Sequence, residues 1–300
     1  MILRRVLRAP FPWFGGKSLA AATIWAAFGN VPNYVEPFAG SLAVLLARPH
    51  APKVETVNDL DGLISNFWRA VAARPAEVSR WADWPVNEAD LHARHRWLVE
   101  QALPLTERLI ADPEYYDAQV AGWWVWGISA WIGNGWCSRD ERLHRCMPKV
   151  GTPGHGVHAP SRPDDVFERL SDRLRGVRVC CGDWTRVLGR STLGIDTPHG
   201  MTPCAVLLDG PYAHDTREKR LYREDDASLS SRVREWALDN GDNPALRIAL
   251  CGFEGEHEMP DSWSKVAWKS TSSSKSRVRE RIWFSPHCLP VDGAQRGLLL

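Results

Sequence analysis

A chain of 300 residues, 44% hydrophobic and 24% charged, has room for one large domain or a domain with a sizeable insert, and its composition is that of an ordinary globular protein. A formal net charge of +1 excludes a global field that draws in nucleic acid, so any such binding must come from local clusters of Lys and Arg. Seven cysteines without a CxxC pair argue against a disulfide scaffold and for reduced thiols in a cytosol.

In chain order, the basic start Met1–Arg5 is followed by Pro10, Pro12, Gly15, Gly16 and Lys17, which break any signal-peptide apolar core. No stretch approaches the length needed to span a bilayer, so a cytoplasmic protein without a membrane partner is expected. Gly15-Gly16-Lys17-Ser18 mimics the end of a phosphate-binding loop. Phe11 stands where that motif needs its first glycine, and no strand precedes it, so ATP binding is not expected.

The first strand is predicted at Tyr34–Glu36, running through Pro37 and Phe38 to the small residues Ala39, Gly40 and Ser41. Small residues there let backbone approach a ligand, although an ordinary strand–turn–helix uses glycine at the same place. A second strand, Val54–Val57, leads to Asp59 and Leu60. A carboxylate at a strand end some twenty residues after the first turn suits ribose hydroxyls. Asp61 reads as a helix N-cap.

From Gly62 to Arg175 the pattern is helical: Gly62–Ala73, Asn87–Leu103, Pro113–Ile132 and Pro163–Leu174, with a Gly/Pro/His-rich loop from Gly133 to Pro160. That loop carries Arg139, Arg142, Arg145 and Lys149, which suit either a solvated face or contacts to phosphates. Cys137, His144, Cys146, His155 and His158 match no common zinc spacing, and no metal is expected.

Strands return at Val177–Cys181, Ala205–Leu208, Leu246–Cys251, Lys265–Lys269 and Arg281–Phe284, with a helix at Ser228–Asn240. Alternating strands and helices imply an α/β fold with a mostly parallel sheet interrupted by a helical insert. Asp183-Trp184 follow the third strand, where the bland alternative is that Asp183 merely caps the short segment Thr185–Leu188. The apolar run 205–208 stops at Asp209-Gly210-Pro211-Tyr212, presenting a carboxylate and a ring at the sheet's carboxyl edge. Alone, Asp-Gly-Pro is also ordinary turn chemistry. Lys269, Lys275, Arg277, Arg279 and Arg281 form a second basic cluster. Of the sixteen Trp most should fill core, though such rings can also stack bases.

Taken together, Pro12–Ser18, Tyr34–Ser41 and Leu207–Tyr212 resemble the Dam-like family of adenine-specific DNA methyltransferases, in which similar blocks occur in this order. The resemblance extends to Val57–Asp61 and Val179–Trp184, and loosely to Arg279–Pro286. It implies a Rossmann-like, S-adenosylmethionine-dependent fold. The catalytic domain would be residues 1–61 and 175–300, and the helical target-recognition insert residues 62–174. The implied partner is double-stranded DNA, and the implied reaction is methyl transfer to the 6-amino group of a flipped-out adenine. It assigns Trp13, Gly16, Lys17, Glu36, Pro37, Phe38, Ala39, Gly40, Ser41, Asp59, Leu60, Asp183 and Trp184 to the cofactor. Asp209, Gly210, Pro211 and Tyr212 fall to catalysis, and Arg139, Arg142, Arg145, Lys149, Lys275 and Arg277 to DNA. The family's usual block is Asp-Pro-Pro-Tyr, so Gly210 is a departure. Losing that proline loosens the loop by about 0.4–1 kcal/mol, and restoring it should speed transfer if rigidity is what matters. RNA or a modified base as acceptor, or a DNA-binding protein with weakened turnover, are the alternatives.

Overall fold

The computed structural model describes residues 7–13, 15–112, 114–131, 135–138, 147–148, 156–158, 163–195, 202–212, 228–268 and 280–291. Seven strands make one sheet: β1 Asn33–Glu36, β2 Val54–Asp59, β3 Val177–Cys181, β4 Cys204–Leu208, β5 Leu246–Phe253, β6 Ser264–Trp268 and β7 Glu280–Phe284. Their order is β3-β2-β1-β4-β5-β7-β6. β1 runs parallel to β2 and β4, and β4 parallel to β5. β7 lies antiparallel between β5 and β6. Every residue of β1 and β4 is buried, as expected of central strands covered on both faces. Their continuous apolar reading, rather than an alternating one, has that cause.

The described residues fall into two compact units. One holds residues 15–58, 184–212 and 228–291. Its helices are α1 Ala21–Phe28, α2 Ala43–Leu46, α8 Arg190–Leu193 and α9 Leu229–Asn240. Each parallel strand here ends where the chain turns, which gathers the strand-end residues Glu36 and Asp209 at one edge. Under β1 and β2 a fully buried ion pair ties α2 to the sheet: Arg48 Nη1 lies 3.0 Å from Glu55 Oε1, and Arg48 Nη2 donates to the Val31 carbonyl at 2.5 Å.

The other unit holds residues 7–13 and 59–183, with α3 Gly62–Ala73, α4 Pro75–Ala82, α5 Glu88–Ala111, α6 Ala118–Ala130 and α7 Pro163–Leu174 beside β3. Asp61 caps α3 by accepting from Leu63 N at 2.9 Å, and Asp117 caps α6 by accepting from Val120 N at 2.9 Å. Ten of the sixteen tryptophans lie in this unit. Phe11, Phe67, Trp68 and Trp124 interlock with centroid separations of 4.9 to 5.6 Å, so most indoles are indeed core.

Two helix boundaries differ from the sequence pattern, and α1 and α4 were not predicted at all. α5 continues past Pro104 to Ala111, because Leu105 and Leu109 are buried on the stripe begun by Leu91, Leu98 and Ala102. Burying two leucines, at about 1.5–3 kcal/mol each, outweighs a helix-interior proline at about 3 kcal/mol. α6 starts later than residue 113, because Asn66 exchanges two hydrogen bonds with the Asp117 backbone and fixes that residue as the cap. α4 has no counterpart in the sequence reading; Pro75 opens it as a first-turn residue, with Glu77 beside its N-terminus.

Candidate active site

Asp209 is the first residue beyond β4, at the carboxyl edge of the sheet, with its side chain 20% exposed. Its carboxylate is engaged. Lys17 Nζ lies 2.6 Å from Asp209 Oδ1, donates to the Gly15 carbonyl at 2.7 Å, and stands 3.9 Å from Glu280 Oε2. The ammonium also sits 5.4 Å from the Tyr212 ring centre and 5.2 Å from that of Trp268. Burial pulls the Lys17 pKa down, but Asp209, Cys251 and Glu280 outweigh it and hold the ammonium well above the ordinary lysine range. Lys17 therefore stays charged. Burial, then Asp209, push the Cys251 thiol far up, so it is not a nucleophile.

Glu36 ends β1, buried, and accepts from the Tyr34 hydroxyl at 2.9 Å. Burial pushes its carboxyl from 4.5 to about 8; the Tyr34 bond works against this and the Asp209 charge with it. At neutral pH the Glu36 carboxyl is largely protonated. The turn that follows is tight. Ala39 N donates to the Asn58 carbonyl at 2.8 Å and the Asn58 amide to the Pro37 carbonyl at 3.1 Å, while Gly40 has φ of 45° and Leu42 of 52°. Ser41 is buried in that turn and Gly16 half-buried ahead of Lys17.

Gly210 is buried and does not adopt left-handed φ. Its lack of a side chain answers to space instead. A Cβ there would lie 3.2 to 3.4 Å from three ring atoms of Phe38, and that ring in turn stacks on Trp184 with centroids 5.9 Å apart. Trp184 opens a short 3-10 turn, Trp184–Val187, and its buried Nε1 has no hydrogen-bond partner among the described residues. Pro211 is half-buried. Tyr212 is only 8% exposed and packs edge-to-face on Phe253 at 4.7 Å.

The remaining cofactor candidates belong to the helical unit. Trp13 sets its ring edge-on to Phe11 at 6.0 Å. Asp59 accepts from Asp61 N at 3.0 Å through Oδ1, and its carbonyl accepts from Gly182 N at 3.0 Å, which brings the ends of β2 and β3 together. Leu60 and Asp183 are exposed. The DNA candidates Arg139, Arg142, Arg145, Lys149, Lys275 and Arg277 all lie outside the described residues, as do His144, Cys146 and His155. Among the described residues no group of three or more His, Cys, Asp or Glu forms a metal site, and no helix is long and apolar enough to cross a membrane.

Glu280 and Trp268 were not among the sequence candidates. Glu280 stands between two arginines of the basic cluster, and the sequence assigned it no role of its own. Its signal was the alternation of two: Glu280, Ile282 and Phe284 share a face of β7, and all three are buried.

A parallel sheet closed by an antiparallel last strand pair, with a small-residue turn after β1 and an acid and aromatic after β4, defines an α/β protein of the methyltransferase class. Residues 13–116 match the model of the family described as D12 class N6 adenine-specific DNA methyltransferase. The match includes Lys17, Glu36–Ser41 and Asp59; the segment Asp209–Tyr212 lies beyond it. No curated protein matches the chain.

Proposed function

We propose that this chain transfers a methyl group from S-adenosylmethionine to the exocyclic 6-amino group of adenine in DNA, after the base leaves the duplex. The observation that carries the reading is Asp209. It is a partly exposed carboxylate at the carboxyl edge of the central strand, next to the turn that opens after β1.

Adenine's amine is a weak nucleophile because its lone pair is delocalised into the ring. Asp209 accepts one amine hydrogen and the carbonyl of the Gly210-Pro211 step accepts the other, which localises electron density on nitrogen. Acceptors fixed at a strand end need no reorganisation, so positioning and electrostatics supply most of the rate. Extruding the base costs a few kcal/mol, and stacking on Tyr212 returns about 1–3 kcal/mol. At 8% exposure the Tyr212 ring must uncover one face to do so.

The residues of the turn suit a cofactor of this kind. Ala39, Gly40 and Ser41 leave the backbone open to close approach, and the Phe38 ring offers an aromatic surface. The buried Trp184 Nε1 is a donor whose partner would come from a ligand. When bound, S-adenosylmethionine supplies an electrophilic methyl. Glu36 to Ser41, Gly16 and Trp184 are the residues of this unit that would hold it, and by family resemblance Trp13, Asp59, Leu60 and Asp183 serve it as well. Residues 62–174 would read the target sequence, and Arg139, Arg142, Arg145, Lys149, Lys275 and Arg277 would contact phosphates. Incubation with radiolabelled S-adenosylmethionine and unmethylated duplex DNA should label the DNA, whereas label on RNA alone would overturn the choice of acceptor.

A further inference from the structure

We propose that Glu280 is a positioning residue for methyl transfer: a buried second carboxylate that receives the Lys17 ammonium when adenine's amine takes up Asp209. The proposal rests on the reading of Asp209 given above. In the structure Lys17 is 3% exposed and its ammonium is spent on Asp209 at 2.6 Å. A base amine cannot use that carboxylate fully while the ammonium holds it. Withdrawing the ammonium would leave a buried charge unpaired unless another acid stood within reach.

Glu280 is that acid. Its side chain is 2% exposed and its Oε2 lies 3.9 Å from Lys17 Nζ, so a displacement of about 1 Å makes a charge-assisted hydrogen bond. The fold holds it there. Glu280 begins β7, directly opposite Phe253 of β5 and Trp268 of β6. Phe253 is the ring against which Tyr212 packs, and Trp268 faces the Lys17 ammonium at 5.2 Å. The same strand register thus places the receiving carboxylate, the support for the base-stacking ring and an aromatic wall around one lysine. Among the described residues two carboxylates stand within 4 Å of the Lys17 ammonium, Asp209 at 2.6 Å and Glu280 at 3.9 Å, while burial keeps the nearby Cys251 thiol neutral.

The test is a cycle of four proteins: wild type, Glu280→Gln, Lys17→Met and the double variant. Single-turnover methylation of duplex DNA, binding of S-adenosylhomocysteine by calorimetry and melting temperature are measured for each. Glu280→Gln should lower the single-turnover rate at least 10-fold while changing S-adenosylhomocysteine affinity less than 3-fold. In the Lys17→Met background the same change should alter the residual rate less than 2-fold, and the two melting shifts should be non-additive. A merely structural Glu280 would lower the melting temperature without this rate dependence on Lys17. An unchanged rate in Glu280→Gln, or equal slowing in both backgrounds, overturns the proposal. If Glu280→Gln does not fold, Glu280→Asp, which keeps the charge at shorter reach, should slow transfer at least 3-fold, and a wild-type rate overturns it. Absence of product from wild type would sink the reading of Asp209 and this proposal together. Product from wild type with indifferent Glu280 variants would sink this proposal alone.

Discussion

Replacing Gly210 with proline restores the residue usual in the family, and the structure sets two effects against each other. Fixing φ reduces the freedom of the unfolded chain and should stabilise by about 0.4–1 kcal/mol, with no penalty from left-handed φ at this position. The new Cβ, however, meets Phe38 Cζ at 3.2 Å, Cε2 at 3.3 Å and Cε1 at 3.4 Å, and the Phe38 ring is backed by Trp184. A ring held between two neighbours gives way poorly, and overpacking of this kind costs about 1–3 kcal/mol. Overpacking wins, so Gly210→Pro should destabilise by about 0.5–2 kcal/mol. In a Phe38→Leu background the same substitution should be neutral or mildly stabilising. Urea unfolding of the four proteins measures this as a coupling between positions 38 and 210, and single-turnover methylation should be no faster in Gly210→Pro than in wild type. A proline variant more stable than wild type with Phe38 in place, or a coupling under about 0.5 kcal/mol, would refute the packing argument.

Three further outcomes follow from the same geometry. Glu36 binds its proton more tightly folded than unfolded, so its contribution to stability is complete below about pH 4.5 and is lost as pH rises to about 8. Glu36→Gln should flatten that slope, worth up to about 1.4 kcal/mol per pH unit, in urea unfolding between pH 5 and 8; an unchanged slope would show that another group sets it. Asp61→Ala removes the cap of α3 and should cost about 1 kcal/mol in chemical denaturation, where a loss of under about 0.3 kcal/mol would contradict the capping role. Glu55→Gln strands the buried Arg48 charge and should cost about 3–5 kcal/mol, read as a large drop in melting temperature, and a near-native melt would mean the pair is dispensable.

What the sequence disclosed and what it hid divide along physical lines. Strands were legible because short apolar runs such as 177–181 and 205–208 are bounded by Gly, Pro and Asp, and each was found within two residues of its observed ends. Helices whose boundaries depend on packing were not. α5 overrides Pro104 through the buried Leu105 and Leu109, and α1 and α4 lie in stretches dense with small residues and Pro, where periodicity is weak. The acid after β4 was legible from its position at a strand end. Its partner was not, because the ion pair between Lys17 and Asp209 joins residues remote in sequence, which only the folded chain brings together. The reason for Gly210 was hidden for the same cause: nothing local shows that Phe38 lies over it. Beside the proline usual in the resembling family, the glycine read as a loss of rigidity; in the fold it is space for a ring.

The most direct test asks whether Asp209 carries the reaction. Purified wild type and Asp209→Asn, each confirmed folded by circular dichroism, are incubated with S-adenosylmethionine and unmethylated duplex DNA, and the digested nucleosides are resolved by mass spectrometry. N6-methyldeoxyadenosine formed by wild type and reduced at least 100-fold in the variant, a loss on the scale of removing a fixed acceptor, is the expected result. Methyladenine at an undiminished rate from Asp209→Asn, or none from wild type on any duplex, would contradict it.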